Sequence, residues 1–423
     1  MSIKVHGEKD MPLSLIVVAI VFMLIAVRQI GSVKIAIWQV MLGGAVVVIV
    51  GGAISPREAY HAISFDVLLF LFGVFVLGNA LEESGYLFYL SYHIFKRARS
   101  VDALVLMILF VVGGASALLM NDTLAIIGTP VMLLISRRFN ISSKLLLLAL
   151  AFGVTIGSAM SPIGNPQNLL IALNGGIREP FVTFLSRLFI PTLLNLLAAY
   201  AILRLFYTRE FHPEDLNHEE ERVSDERLAF LARVGLGIFI FMIIIRVTFV
   251  MLNVKCCISL TWISLSGAAP LLIFSRKRLH ILRGIDWHTL VFFTAMFVLM
   301  QSVWDCGVFQ HLIETSQINV ISISMIFLVS ILLSQVISNV PLVALYIPVI
   351  LHAGGATTEM VALAAGSTIA GNFFILGAAS NVIIIQNAEK RGNHSLTFLE
   401  FARAGIPLTL INFFVYWVFL VKL

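Results

Sequence analysis

The residues Ser161-Pro162-Ile163-Gly164-Asn165-Pro166-Gln167-Asn168 lie inside an apolar run that extends from 144 to 172. About 20 mostly apolar residues suffice to cross a bilayer, so the run is long enough. Its middle cannot be a continuous helix. Pro162 and Pro166 lack the N–H that a helix needs, and Gly164 lifts the steric restraint on the backbone. Asn165 directly before Pro166 suits the start of a new helical segment, an amide cap followed by proline at the first helical position. Backbone left unpaired at membrane depth is costly and is tolerated only where it lines a protein cavity. A simple proline kink is the plain alternative, but a kink has no use for three polar amides at mid-bilayer. The stretch reads as a discontinuous membrane helix.

The composition sets the same scene. Of 423 residues, 59% are hydrophobic and only 12% charged, far from the balance of a soluble domain. A soluble enzyme, a nucleic-acid reader and a secreted disulfide scaffold are excluded; the expected class is an all-α polytopic membrane protein. The net charge of +5 comes from basic residues between apolar runs, which is a topology signal rather than a nucleic-acid footprint. Cys256, Cys257 and Cys306 make no disulfide framework. Soft thiolates would suit arsenic or copper, but a structural role is the plainer reading. The run from Met11 to Val27 has no small-residue cleavage site and reads as a retained helix.

Single crossings fit the runs near 11–27, 34–54, 63–81, 144–172 and 184–207, then 227–250, 257–275, 287–303, 358–387 and 398–421. Segments 101–136 and 318–352 are too long for one crossing and carry polar centres, Met120-Asn121-Asp122 and Ser338-Asn339-Val340. Each is expected to form a re-entrant helical hairpin with those residues at its tip. A second helix break is expected at Gly377-Ala378-Ala379-Ser380-Asn381, where an uninterrupted helix stays open as the alternative because no proline is present.

The two halves match in order. FVLGNALEESG (75–85) precedes FVLMQSVWDCG (297–307) by 222 residues. Ser116, Asn121 and Pro130 precede Ser334, Asn339 and Pro348 by 218, and Gly164 and Asn168 precede Gly377 and Asn381 by 213. The expected plan is a first repeat at 11–207, a linker at 208–226 and a second repeat at 227–422. Each repeat holds five spans, one of them broken, plus one hairpin. Five is odd, so the second repeat is inverted. With both termini outside, seventeen lysines and arginines fall in inside segments and six in outside ones, as membrane topology favours. The Glu-rich linker, with His212 and His218, is then cytoplasmic and reads as solvated chain before it reads as a metal site.

The breaks carry the chemistry. Half-helices starting after Asn121, Asn165, Asn339 and Ser380 offer free N–H groups and positive dipole ends, which suit an anion. Carbonyls freed by the breaks, with Asn and Ser oxygens, suit a hard cation such as Na+. Lysine and arginine are absent near the four breaks, so an anion must be drawn by dipoles or by a co-bound cation. Asp122 stands at the first tip where its repeat-mate is the apolar Val340. Carboxylates at this depth mark ion or proton pathways, and this one could exchange a proton against a cation or substrate. The alternative is a cap that satisfies backbone N–H groups. Asp66, Glu82, Glu83 and Asp305 sit at span ends and read as interfacial, and Arg246 as snorkelling.

With its hairpins and broken helices in this order, the chain resembles the ion transporter superfamily over nearly its whole length. That group holds divalent-anion/sodium symporters, citrate transporters, arsenite permeases and NhaD-type sodium/proton antiporters. The resemblance implies a first cation-coupling site at Ser116, Asn121 and Gly164, with Asp122 beside it, and a second at Ser334, Ser338, Asn339 and Gly377. It implies substrate contacts from Asn121, Asp122, Asn165, Asn168, Asn339, Ser380 and Asn381. Both tips lack the threonine that touches carboxylate substrates in the symporters. Asn-Asp at the first tip, Glu-Ser-Gly at 83–85 and Asn-Val-Pro at 339–341 are closer to the arsenite-permease side. The implied protein is a homodimeric, elevator-type secondary transporter of the plasma (inner) membrane, moving an inorganic anion, oxyanion or arsenite-like metalloid with Na+ or H+ as coupling ion.

Other readings are a sodium/proton antiporter, for which Asp122 is the deciding residue, a sodium-coupled di- or tricarboxylate symporter, and a passive anion channel. An intramembrane enzyme is not expected, since no Ser–His or paired-Asp arrangement adjoins the breaks. No organic cofactor is expected. A phosphate-binding glycine loop followed by Lys-Ser or Lys-Thr is also missing, which argues against ATP drive.

Overall fold

The computed structural model describes residues 13–27, 29–30, 33–34, 37–86, 89, 93, 95, 98–211, 224–252, 258–308, 319–392 and 396–422. His212, His218, Cys256 and Cys257 lie outside the described residues. Among the described residues the regular structure is helical apart from a short antiparallel ladder of two residues per strand, which composition did not suggest. The order begins α1 (Leu13–Val27), β1 (Gln29–Ile30), β2 (Val33–Lys34), α2 (Ile37–Val50), α3 (Pro56–Ala62) and α4 (Phe65–Glu83). There follow α5 (Val101–Leu119), α6 (Asn121–Phe139), α7 (Ser143–Ser158), α8 (Pro166–Asn174), α9 (Pro180–Phe206) and α10 (Glu226–Met251). The remainder is α11 (Leu260–Phe274), α12 (Arg278–Gly284), α13 (Trp287–Asp305), α14 (Ile323–Ile337), α15 (Asn339–His352), α16 (Thr357–Ile369), α17 (Ala379–Gly392) and α18 (Phe398–Lys422).

Six helices among the described residues are long and apolar enough to cross a bilayer: α4, α5, α9, the Glu226–Arg246 part of α10, α13 and α18. Shorter apolar helices accompany them, including α7 and both arms of the 323–352 segment. The molecule is a multi-pass membrane protein.

Two compact units are formed. One holds Met1–Ser64 with Trp287–Gln317; in it α2 packs along α13, and α1 rests on both. Its α3 opens with a reciprocal cap, in which Ser55 Oγ accepts from the Glu58 amide and Glu58 accepts from the Ser55 amide. The other unit holds Phe65–Asp286 with Ile318–Leu423 and carries both hairpins and both helix breaks. There α11 lies between α4 and α10, and α9 packs on α18.

The hairpins start alike. Ser100 caps α5 through the Ala103 amide, and Ser322 caps α14 through the Met325 amide. Each reverses through a single residue in the left-handed half of backbone space, Met120 at φ 67°, ψ 141° and Ser338 at φ 69°, ψ 159°. This conformation suits glycine and costs other residues about 1–3 kcal/mol. Because the turn is so tight, Asn121 and Asn339 are themselves the first residues of α6 and α15, not residues ahead of them. The first arm also contains a π turn over Ile108–Val112.

The second break is wider and earlier than its sequence suggests. α16 stops at Ile369, two 3-10 turns follow at Ala370–Asn372 and Ile375–Gly377, and α17 begins at Ala379, which puts Ser380 inside its first turn. The packing is crossed: α6 lies against α7 and against α17, whereas α15 lies against α16 and against α8. Each hairpin therefore touches the first half of the broken helix that follows it in the chain and the second half of the other one.

Candidate functional site

At the first break, α7 ends at Ser158 and α8 starts at Pro166 with Asn165 as an extended N-cap. The Asn165 Oδ1 accepts from the Asn168 amide at 2.8 Å, which is the local reason the helix restarts here. The other end of that side chain reaches across the chain, Nδ2 donating to Ser158 Oγ at 3.0 Å and to Thr368 Oγ1 at 3.1 Å. Asn168 serves the freed carbonyls: its Nδ2 donates to the backbone oxygens of Ser158, Ala159 and Ser161 at 3.2, 3.3 and 3.0 Å. Thr368 Oγ1 donates back to Asn168 Oδ1 at 3.4 Å. Asn165 and Asn168 are fully buried. Their amides hold the break in shape, and Ser158 and Thr368, which the sequence reading did not single out, complete that frame.

The first hairpin tip joins both breaks. The Asn121 amide donates to the Gly164 carbonyl at 2.8 Å, and Asn121 Nδ2 reaches Ser380 Oγ at 3.5 Å. Asn121 Oδ1 accepts from the Asp122 amide at 2.9 Å. Ser116, one turn earlier, has its hydroxyl against the carbonyls of Gly113 and Val154 at 2.8 and 3.0 Å. Gly164 tolerates this closeness because it has no side chain: a Cβ there would lie 2.3 Å from the Ser158 oxygen. Asp122 is half-buried, and the Asp286 carboxylate is the charged group that bears on it. Asp286 was not anticipated from sequence, since it lies 164 positions away at the end of another loop.

The second tip is built differently. Asn339 and Ser334 are buried, and neither Asn339 Oδ1 nor Ser334 Oγ has a hydrogen-bond partner among the described residues. Ser338 forms the turn itself. Gly377, in the facing break, lies against Gln335, with Gln335 Oε1 2.8 Å from where a Gly377 Cβ would be. Asn381 Nδ2 donates to the Gly371 carbonyl at 2.6 Å.

Ion pairs join residues other than those of the two tips. Lys277 Nζ meets Asp225 at 2.7 Å, Lys144 pairs with Glu400, and Arg204 pairs with Asp102. The Lys277 ammonium holds the Asp225 carboxyl below the usual carboxylate range, helped by the Leu228 amide. No group of three His, Cys, Asp or Glu side chains able to hold a metal occurs among the described residues. The breaks therefore present neutral oxygens and amide donors, with Asp122 as the carboxylate at a tip.

This architecture has relatives. An uncharacterized transporter of Mycobacterium tuberculosis is 28% identical over 420 residues, covering 94% of this chain and 96% of that protein. The P protein of Homo sapiens is 26% identical over 463 residues, which span 87% of this chain and 54% of that protein. The crystal structure of the YdaH transporter from Alcanivorax borkumensis shares the fold, with a TM-score of 0.57 at 14% identity and 96% of each chain covered. Residues 17–365 match the model of the citrate transporter family. The superfamily expected from the two hairpins and two breaks is thus the right one, and the chain belongs to the citrate transporter (CitMHS) family of membrane transporters.

Proposed function

We propose that the protein is a secondary active transporter, driven by a Na+ or H+ gradient, that carries a small oxyanion or arsenite-like metalloid hydroxide across the plasma (inner) membrane. The observation that supports this reading most is the junction at Asn121, where one hairpin tip meets the Gly164 carbonyl of the first break and Ser380 of the second. The starts of α6, α8, α15 and α17 supply N–H groups without a fixed positive charge, which favours a substrate of low charge or one accompanied by a cation. A citrate-type carboxylate is the second reading, favoured by the family match. It requires a co-bound cation, because the tips carry no arginine or lysine.

In this reading Asp122 handles the coupling proton, both termini lie outside and the 208–226 linker is cytoplasmic. The protein works as a homodimer in which hairpins and broken helices move together as an elevator. Charge asymmetry supports the orientation, and the family resemblance supports the motion. The test is uptake into proteoliposomes with imposed Na+ or pH gradients and a panel of arsenite, phosphate, sulfate and citrate. Accumulation above the external level is expected for one member of the panel, and Asp122→Asn should abolish any pH-gradient drive. Equilibration without accumulation would overturn active transport and leave a passive pathway, the channel among them. Proton-driven Na+ flux with no anion requirement would establish an antiporter.

A further inference from the structure

Helices α9 and α18 carry buried polar side chains that belong to none of the sites described above. Thr192 Oγ1 and the Tyr416 hydroxyl share a hydrogen bond at 2.7 Å, and the Arg403 guanidinium lies 5.2 Å from the centre of the Phe206 ring. From the first contact to the second the numbering rises along α9 and falls along α18, so the two helices run antiparallel. Asn195 stands one turn beyond Thr192, and Asn412 one turn from Tyr416 in the same direction, which sets the two amides level with each other. Both are fully buried. Thr192-x-x-Asn195 recurs 217 residues later as Thr409-x-x-Asn412.

The second break reaches this pair. Buried Asn372 donates from Nδ2 to Asn412 Oδ1 at 3.1 Å, and a Cβ on Gly405 would lie 2.1 Å from the Asn372 carbonyl oxygen. Side chain and backbone of Asn372 therefore both lean on α18. Asn195 lies beside the Tyr416 hydroxyl, yet neither its Oδ1 nor its Nδ2 has a hydrogen-bond partner among the described residues. The same holds for Asn412 Nδ2 and Asn372 Oδ1. Exchanging N for O in both members of the bonded pair leaves one donor and one acceptor over all the same.

We infer that a water molecule is bound between α9 and α18, held by Asn195 and Asn412 and bridging them to Asn372. The surplus comprises two donor and two acceptor atoms. An anion answers only the donors and a cation only the acceptors, whereas water serves both, and a buried water typically makes about three hydrogen bonds. In the inverted-repeat reading Asn195 and Asn412 are mates that face each other, so the water lies on the axis that exchanges the halves. Ala199 stands where the same offset places the Tyr416 ring, and so small a side chain leaves space beside the amides. The bridge makes Asn195 a positioning residue for the second break, whose Ala370 carbonyl accepts from Gln335 Nε2 at 2.9 Å.

The experiment is X-ray radiolytic footprinting of the full chain in lipid nanodiscs, read by mass spectrometry. The pulse makes hydroxyl radicals from bound as well as bulk water, and these oxidise the side chains they touch. Phe184 and Phe401 are the controls, being buried as deeply as Tyr416 on the same two helices. Tyr416 should be labelled in wild type while both phenylalanines are not. Asn195→Leu, which fills the site with an apolar side chain of similar size, should abolish the Tyr416 label. Asn195→Ser, which keeps a hydroxyl and leaves room, should retain it. An unlabelled Tyr416 in wild type, as a direct bond between Asn195 and Asn412 would give, overturns the inference. So does a Tyr416 label that survives Asn195→Leu. Should Asn195→Leu not fold, the wild-type contrast between Tyr416 and the two phenylalanines decides alone. Neither result bears on the ion-coupled transport proposed above.

Discussion

Adding one methyl group at Gly164 tests whether the first break is held as described. A Cβ there would lie 2.3 Å from the Ser158 oxygen and 2.8 Å from the Ser158 Cα. The obstacle is backbone, not the end of a flexible side chain, and that carbonyl is tethered by Asn168 Nδ2 and by the Ser161 amide. The break must therefore shift by most of an ångström. Overpacking of this kind costs about 1–3 kcal/mol, and the rigid neighbour places it at the upper end. The shift also carries away the Gly164 carbonyl from the Asn121 amide, and losing that hydrogen bond adds about 1 kcal/mol. Gly164→Ala should thus destabilise by about 3–4 kcal/mol and impair transport by displacing the tip. Gly114→Ala is the control: it is also a helix-segment glycine, but nothing lies within 4 Å of its Cβ position. It should stabilise by roughly 0.5–1 kcal/mol. The assay is the thermal unfolding midpoint of the purified full chain in micelles, paired with uptake. A Gly164→Ala midpoint at or above that of wild type would refute the reasoning.

Further outcomes follow from the same geometry. Asn168→Ala removes the donor for three backbone oxygens, two of which keep a weak backbone partner, so a loss of about 2–3 kcal/mol is expected in the same midpoint assay; a change below about 0.5 kcal/mol would show that the amide does not hold the break. Ser338→Gly should raise the midpoint, because relief of the positive φ exceeds the added chain entropy by about 1 kcal/mol, whereas Met120→Gly should lower it because Met120 is buried. Asp225→Asn should cost at most about 1 kcal/mol at neutral pH, since the pair with Lys277 is near the surface. The folded Asp225 carboxyl titrates below its unfolded value of about 3.9, so its contribution is full above that pH and is lost as pH falls through the depressed value. The gap between Asp225→Asn and wild type should therefore close under strong acid, and a gap that persists there would assign the effect to something other than ionisation.

What the amino-acid order revealed was what is local. Asn165 before Pro166 announces a restarted helix because cap and proline act on their own turn, and the observed cap bond runs only three residues. The tips were legible for the same reason, as polar interruptions in runs too long for one crossing. The second break was placed too late, since Ala370–Asn372 contains neither proline nor a cap pair and looks helical by composition. Long-range partners were not legible at all. Nothing near Asn165 points to Thr368, and nothing near Asp122 points to Asp286. Gln335 reads as an ordinary polar residue on a helix, and only comparison with Ala117 at the offset of 218 would have drawn notice to it. The buried contact of Thr192 with Tyr416 was likewise hidden inside runs that pass for plain membrane spans, and so was Asn412, the partner of Asn372 at the second break.

The crossed packing of the hairpins has a consequence for how the protein is made. Asn121 meets Ser380 across 259 positions of chain, and Asn165 meets Thr368 across 203. A ribosome adding about 5–20 residues per second delivers the second member of the first pair roughly 10–50 s after the first. Throughout that interval the first hairpin lacks α17, α8 lacks α15 and α16, and Asn121 and Asn165 lack their distant hydroxyl partners. Neither half of the chain, synthesised alone, contains a finished junction. Biogenesis must therefore shelter an incomplete polar assembly from lipid until the last third of the protein arrives, and two separately expressed halves should acquire a junction only when they are made together.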